Sequence, residues 1–212
     1  MEFFYQRFVV SESTLIPRLE TESLVREAIA FARINKPDIC IDIGTGSWAI
    51  VLSLLSAIHI PHVYATDISK NALTVAQRNM ENHGKNITLI TGDLLEQFFE
   101  NTLLENNKSI LLVTNLPYIK QDDWEHMSED TKYEPMLALF WWKNTGFELY
   151  EKLFLQVNTF IEKYTPSNLT ILAEMGEDQK DIATHILKSY GWEFSFFQDL
   201  RAIERFMRIK IR

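Results

Sequence analysis

The sequence predicts an α/β fold, a mostly parallel seven-stranded sheet with helices on both faces and an antiparallel hairpin at its C-terminal end. Three observations predict it. From Ile39 onward, short apolar runs alternate with amphipathic stretches, the pattern of strands separated by helical crossovers. The first of those runs closes in a glycine-bearing turn, Asp42-Ile43-Gly44-Thr45-Gly46-Ser47. The last two runs have only Asp199–Arg205 between them, too little for a helical crossover, so they pair antiparallel.

In order, residues 1–36 form an N-terminal segment ending in an amphipathic helix, and residues 37–212 form the α/β domain. The helix is read at Glu20–Phe31 and packs on the core rather than on a membrane or partner. Strand Ile39–Ile43 is followed by helix Ala49–Ile58, strand Val63–Thr66 by helix Asn71–His83, and strand Ile87–Thr91 by helix Leu94–Glu105. Strand Ile110–Thr114 precedes Lys120–Thr145, a stretch without periodicity. It lies just past a strand end, where open α/β sheets bind ligands, and is read as a substrate-side loop. Helix Phe147–Lys163, strand Leu169–Ala173, helix Asp178–Ser189 and the strands Glu193–Gln198 and Phe206–Ile211 complete the chain.

Composition narrows the function. With 212 residues and 46% apolar content the chain can bury one full core. The excess of 29 Asp and Glu over 21 Lys and Arg, a net charge of −8, disfavours direct nucleic-acid binding, which needs a basic face. Cys40 stands alone and cannot form an internal disulfide, and no secretory signal or membrane span is visible; the cytoplasm is the expected location. The five histidines, His59, His62, His83, His126 and His185, are scattered without ligand spacing, so no metal is expected. The acidic run Gln121-Asp122-Asp123-Trp124-Glu125 reads as a solvated loop face.

Candidate ligand residues cluster at strand ends. Gly44, Thr45 and Gly46, following Asp42, let backbone approach a ligand and offer N–H groups to a carboxylate at a helix start. Asp67 ends the second strand at the ~20-residue spacing at which an acid hydrogen-bonds a ribose hydroxyl, with Ile68 beside it. Asp93 and Leu94 end the third, where an acid and an apolar side chain could flank an adenine ring. The bland readings are an ordinary glycine turn and an N-cap at Asp67. A dinucleotide site is a further alternative, although Gly44-Thr45-Gly46-Ser47-Trp48-Ala49 stops at two glycines and lacks the three-glycine fingerprint.

Asn115-Leu116-Pro117-Tyr118, after the fourth strand, resembles the Asn-Pro-Pro-Tyr motif of amide- and amine-directed methyltransferases. Leu15-Ile16-Pro17-Arg18-Leu19-Glu20-Thr21-Glu22, Tyr133-Glu134-Pro135 with Leu137-Ala138-Leu139-Phe140, Glu174-Met175-Gly176 with Gln179, and Asp199-Leu200 look like the flanking segments of the release-factor glutamine methyltransferases. The resemblance covers nearly the whole chain from Phe4. It implies a class I, Rossmann-like methyltransferase fold and S-adenosyl-L-methionine as cofactor, held by Asp42, Gly44, Thr45, Gly46, Asp67, Ile68, Asp93, Leu94 and Asn115. It also implies a glutamine side chain as acceptor, in the Gly-Gly-Gln loop of a peptide chain release factor or in a ribosomal protein. An amide nitrogen is a poor nucleophile and must be held in line with the sulfonium methyl. By resemblance, the Asn115 side-chain oxygen and the Leu116 carbonyl accept its two N–H bonds, Pro117 shapes the turn and Tyr118 packs on the planar amide.

The chain departs from this pattern in three ways. Leucine replaces proline at Leu19 and Leu116, and Asn-Leu-Pro-Tyr is also similar to the motif of ribosomal RNA adenine dimethyltransferases. An adenine amino group in RNA or DNA therefore stays as an alternative acceptor, and a catalytically silent methyltransferase-like subunit as a third reading. Second, Trp48, Trp141 and Trp142 stand where the family has glycine, in a chain with only 7 glycines. One cause would cover all three, UGA codons read as glycine in the source organism and translated as tryptophan here; the alternative is genuine substitution, with Trp48 packing as an aromatic on the first helix and Trp141-Trp142 shaping a lid. A Trp48 ring at the cofactor loop would be expected to obstruct binding. Third, the family usually carries a substrate-gripping helical N-terminal domain, whereas this sequence begins almost at the catalytic domain; a fragment, a recruiting partner or a different glutamine-bearing target such as a ribosomal protein would each account for that.

Overall fold

The computed structural model describes residues 1–100, 103–120, 122–123, 131, 134–139 and 145–212. Its elements are β1 (Glu2–Phe3), β2 (Gln6–Arg7), α1 (Thr21–Asn35), β3 (Ile39–Ile43), α2 (Ala49–Ala57), β4 (His62–Asp67), α3 (Lys70–Asn82), β5 (Thr88–Thr91) and α4 (Glu96–Glu100). After them come β6 (Ser109–Thr114), α5 (Met136–Leu139), α6 (Glu148–Tyr164), β7 (Asn168–Glu174), α7 (Lys180–Tyr190), β8 (Glu193–Gln198) and β9 (Glu204–Ile211).

Seven strands form one sheet in the order β5-β4-β3-β6-β7-β9-β8. The pairs β5-β4, β4-β3, β3-β6 and β6-β7 are parallel, whereas β9 runs antiparallel to both β7 and β8. The C-terminal hairpin thus inserts its second strand beside β7, and only β9 opposes the others. The order reverses at β3, whose neighbours β4 and β6 lead away to opposite edges, and a crevice at the C-terminal strand ends follows from that reversal.

Both faces of the sheet are covered, so the central strands are apolar on both sides. Ile39, Ile41, Ile110, Leu112 and Ile171 join Phe98, Leu153, Phe154, Val157 and Leu187 of α4, α6 and α7. Cys40, Leu111, Val113 and Leu172 join Leu24, Val25, Val51, Leu52 and Ala76 of α1, α2 and α3, with Phe3 and Phe8 in the same cluster. Helix α1 stops because Lys36 adopts a left-handed conformation and Pro37 cannot continue it.

The structure departs from the expected elements in three places. Of the helix expected at Leu94–Glu105, the described residues are helical over Glu96–Glu100, and 94–95 and 103–105 are not. Leu94 sits at φ 58°, its carbonyl accepts from the Thr66 hydroxyl at 3.2 Å, and the Leu95 N–H donates to Gln156 Oε1 at 2.7 Å, so the backbone there is bonded elsewhere. The loop Lys120–Thr145 contains the short helix α5, and the Ile119 N–H donates to the Leu139 carbonyl at 3.2 Å. A two-stranded hairpin, β1 with β2, turns at Phe4 and Tyr5, both at positive φ.

Candidate active site

A cavity of about 310 Å³ opens at the C-terminal ends of β3, β4, β5 and β6. Gly44, Thr45, Gly46, Asp67, Ile68, Asp93, Leu94, Asn115, Leu116 and Pro117 all line it. Asp42 and Tyr118 do not, and each acts from behind the wall.

The loop after β3 is built around two positive-φ glycines, Gly44 at 67° and Gly46 at 53°. A Cβ on Gly44 would lie 3.1 Å from Leu116 Cδ2, so the close packing of the two strand ends needs glycine there. Asp42, 1% exposed, accepts from the Thr45 hydroxyl at 2.7 Å and braces the loop from below; burial pushes its carboxyl up to about 7. The Gly46 N–H donates to Asp67 Oδ2 at 2.9 Å and the Ser69 N–H to Asp67 Oδ1 at 2.8 Å. Burial raises the Asp67 carboxyl above its usual range, against those backbone hydrogen bonds. The N-cap of α3 is Ser69, whose hydroxyl accepts from the Ala72 N–H at 3.2 Å, so Asp67 is not the cap.

At the end of β5, Asp93 pairs with Lys152 at 2.5 Å. Gln156 clasps the same turn, accepting from Leu95 and donating to the Asp93 carbonyl.

Past β6, the Asn115-Leu116-Pro117-Tyr118 turn is held by residues outside the motif. Asn115 Nδ2 donates to Thr21 Oγ1 at 3.3 Å. The Leu116 N–H donates to the Tyr150 hydroxyl at 3.3 Å, and that hydroxyl donates to the Glu174 carbonyl. The Tyr118 hydroxyl donates to Glu174 Oε1 at 3.1 Å, and burial beside that carboxylate pushes the phenol well up. Gln179 Nε2 donates to the Tyr118 and Thr145 carbonyls at 3.1 and 3.0 Å, while its Oε1 accepts from the Gly176 N–H at 2.8 Å. The Glu174-Met175-Gly176 and Gln179 segment is therefore the cradle of the turn.

Two other segments meet at the mouth. Arg18, which lines the cavity, pairs with the buried Glu134 at 2.8 Å. Asp199 is farther off and organises the β8–β9 turn, accepting from the Arg201 and Ile203 N–H groups and from Arg205.

Trp48 takes φ 74° and ψ 16°, a left-handed conformation that is an outlier for a bulky residue. It is fully buried, and its Nε1 has no hydrogen-bond partner among the described residues. The ring lies in the apolar cluster with Phe3, Phe8 and Leu24 and is absent from the cavity lining. The expected obstruction of the loop is thereby corrected, because the side chain points into the core. Trp141, Trp142, Tyr133, Phe140 and the run Trp124–Glu125 lie outside the described residues.

Sequence reading missed Thr21, Glu174, Tyr150, Lys152 and Gln156 as site residues. Glu174 carried a signal: an acid directly after the apolar strand run Leu169–Ala173. Among the described residues no helix is long and apolar enough to cross a membrane. No cluster of three or more His, Cys, Asp or Glu among them could hold a metal.

Sheet order, the antiparallel β9 and the strand-end cavity define a class I methyltransferase fold. The N-terminal domain of human METTL16, solved with SAH, superposes at a TM-score of 0.62 with 15% identity, covering 97% of this chain and 76% of that one. A ribosomal protein L11 methylase from Lactobacillus delbrueckii subsp. bulgaricus superposes at 0.58 with 19% identity, covering 92% and 80%. No protein-family model matches the chain. Curated relatives do. The chain is 34% identical to the release factor glutamine methyltransferase of Lactococcus lactis subsp. lactis over 212 residues, 99% of this chain and 74% of the relative. It is 38% identical to that of Enterococcus faecalis over 162 residues, 76% of this chain and 56% of the relative. The chain belongs to the release factor glutamine methyltransferase family. Its match spans little more than half of the Enterococcus protein and 64% of the one from Bacillus anthracis.

Proposed function

We propose that the protein transfers a methyl group from S-adenosyl-L-methionine to the side-chain amide nitrogen of a glutamine in a protein, foremost in the Gly-Gly-Gln loop of a peptide chain release factor. One observation carries the reading: the Gly44–Gly46 loop and Asp67 share a single cavity with Asn115, Leu116 and Pro117. The names of the relatives support it.

The residues present fit the cofactor. The positive-φ glycine loop leaves room beside Gly46, where a Cβ would meet nothing within 4 Å, and suits the amino-acid end. Asp67 suits a ribose diol, and Asp93 with Leu94 suits an adenine edge and face. Bound there, the cofactor supplies an electrophilic methyl on a sulfonium.

The chain's own task is orientation. Asn115 Oδ1 and the Leu116 carbonyl accept the two N–H bonds of the glutamine amide, aim its lone pair and stabilise the charge that develops on nitrogen. Pro117 fixes the backbone after the Leu116 carbonyl. Tyr118, tied through its hydroxyl to Glu174 and through its carbonyl to Gln179, holds the turn from behind. The net charge of −8 favours a protein over a nucleic-acid substrate. A release factor substrate would place the protein in the cytoplasm.

The test is tandem mass spectrometry of a release factor incubated with S-adenosyl-L-methionine and the protein, both with tryptophan at 48, 141 and 142 and with Trp48→Gly, Trp141→Gly and Trp142→Gly. A single methyl on the Gly-Gly-Gln glutamine is expected. A methyl on adenine of added ribosomal RNA, with none on the factor, would overturn the reading.

A further inference from the structure

Glu174 ends β7 with 1% of its surface exposed, and three residues of the Asn115–Tyr118 turn are tied to it. Its Oε2 accepts from the Thr21 hydroxyl at 2.7 Å, and its Oε1 accepts from the Tyr118 hydroxyl at 3.1 Å. Its backbone carbonyl accepts from Tyr150, which in turn receives the Leu116 N–H. Thr21 links the carboxylate to the fourth atom that matters, Asn115 Nδ2, 3.3 Å from Thr21 Oγ1.

The polarity of this chain is forced. An ionised carboxylate only accepts, and a threonine hydroxyl has one proton. With that proton spent on Glu174, Thr21 presents only lone pairs to Asn115. The Asn115 side chain must therefore turn its NH₂ edge to Thr21, since the opposite rotamer would set oxygen against oxygen. Oδ1, the acceptor edge, is left for a ligand in the cavity.

We infer that Glu174 and Thr21 are positioning residues that fix which edge of the Asn115 amide faces the substrate, so that the charge on Glu174 sets the acceptor polarity of the site. The inference rests on the proposed role of Asn115 as acceptor of substrate N–H bonds. Protonated, Glu174 can donate to Thr21 Oγ1. The hydroxyl then turns its proton toward Asn115, which flips and offers NH₂ to an incoming NH₂, a mismatched pair.

The electrostatics around the carboxyl point the same way as the geometry. Burial pushes the Glu174 carboxyl up to about 6, against the hydrogen bonds from Thr21 and Tyr118 and the charge of Arg205 on β9; Glu20, just before α1, pushes it further up, and Tyr150 also faces it. The correct polarity should thus be lost as pH falls through about 6.

Two measurements test the relay. The first needs no substrate: the Asn115 side-chain amide resonances, assigned by their absence in Asn115→Asp, followed by NMR in the unsubstituted protein between pH 5 and 8. They should shift with the midpoint of the Glu174 carboxyl; resonances unmoved while Glu174 titrates would overturn the inference. The second compares methyl transfer to a release factor by Thr21→Val and Thr21→Ser. Valine should lower kcat roughly 10- to 100-fold with little change in cofactor affinity, and serine should restore it. Equal kcat in both, at the wild-type level, would also overturn it. Absence of glutamine methylation in every form would strike the proposed function instead, with the NMR result still deciding the relay.

Discussion

The Gly46 N–H donates to Asp67 Oδ2 at 2.9 Å, joining the loop after β3 to the end of β4 in one structural unit. Asp67 therefore holds the shape of the loop as well as offering a carboxylate to the cavity.

Asp67→Ala removes both roles, leaving the Gly46 and Ser69 N–H groups without this acceptor. We predict a loss of S-adenosyl-L-methionine affinity of about 10- to 100-fold, equivalent to roughly 1.4–2.8 kcal/mol. Titration calorimetry would measure it. Asp67→Asn, which keeps one acceptor oxygen, should lose less.

Trp48 combines a left-handed backbone with a buried N–H that lacks a partner, two features that disappear if the residue is glycine. Left-handed geometry costs a residue with a Cβ about 1–2 kcal/mol, and an unpaired buried donor about 1–3 kcal/mol. We predict UGA codons at positions 48, 141 and 142 and glycine there in protein purified from the source organism. Sequencing the gene and mass-mapping those peptides checks both. UGG at two of the three codons would contradict the prediction.

Asp42 sets a pH dependence of stability with a definite sign. Burial raises its folded carboxyl from 3.8 to about 7, so the folded state binds more protons than the unfolded one between those values. Its contribution to stability is then greatest below the unfolded value and falls as pH rises toward 7. Thermal melts of Asp42→Asn should show a flatter slope over that window than the unsubstituted protein. An unchanged slope would contradict the assignment.

The sheet was legible in the sequence because its strands are buried on both faces and stand out as apolar runs. Strand Ile39–Ile43 emerged with the expected bounds. Asp199–Arg205 was readable as a turn because a parallel crossover cannot fit there. The hairpin of β1 and β2 was not legible, because its turn uses Phe4 and Tyr5 at positive φ where asparagine and glycine are the usual signal. Helix α4 was overestimated because Leu103 and Leu104 continue the apolar pattern outside a helix, Leu104 buried in the core and Leu103 packed against it. Gly44–Gly46, Asp67, Ile68, Asp93, Leu94 and Asn115–Pro117, which line the cavity, lay in motif positions at strand ends and could be named. The supports could not: Thr21, Tyr150 and Gln156 reach the site from helices 24 to 153 residues away in sequence from what they touch, with the Tyr150–Glu174 and Thr21–Glu174 pairs at the extremes. Only the folded sheet brings such pairs together.

Single-turnover methyl transfer to the release-factor glutamine by Asn115→Ala, with cofactor affinity measured on the same protein, tests the central claim most directly. If Asn115 orients the acceptor amide, the rate falls about 100- to 1000-fold while cofactor affinity changes far less. A rate equal to that of the unsubstituted protein would contradict the assignment of Asn115, and with it the account of how this site selects a glutamine side chain.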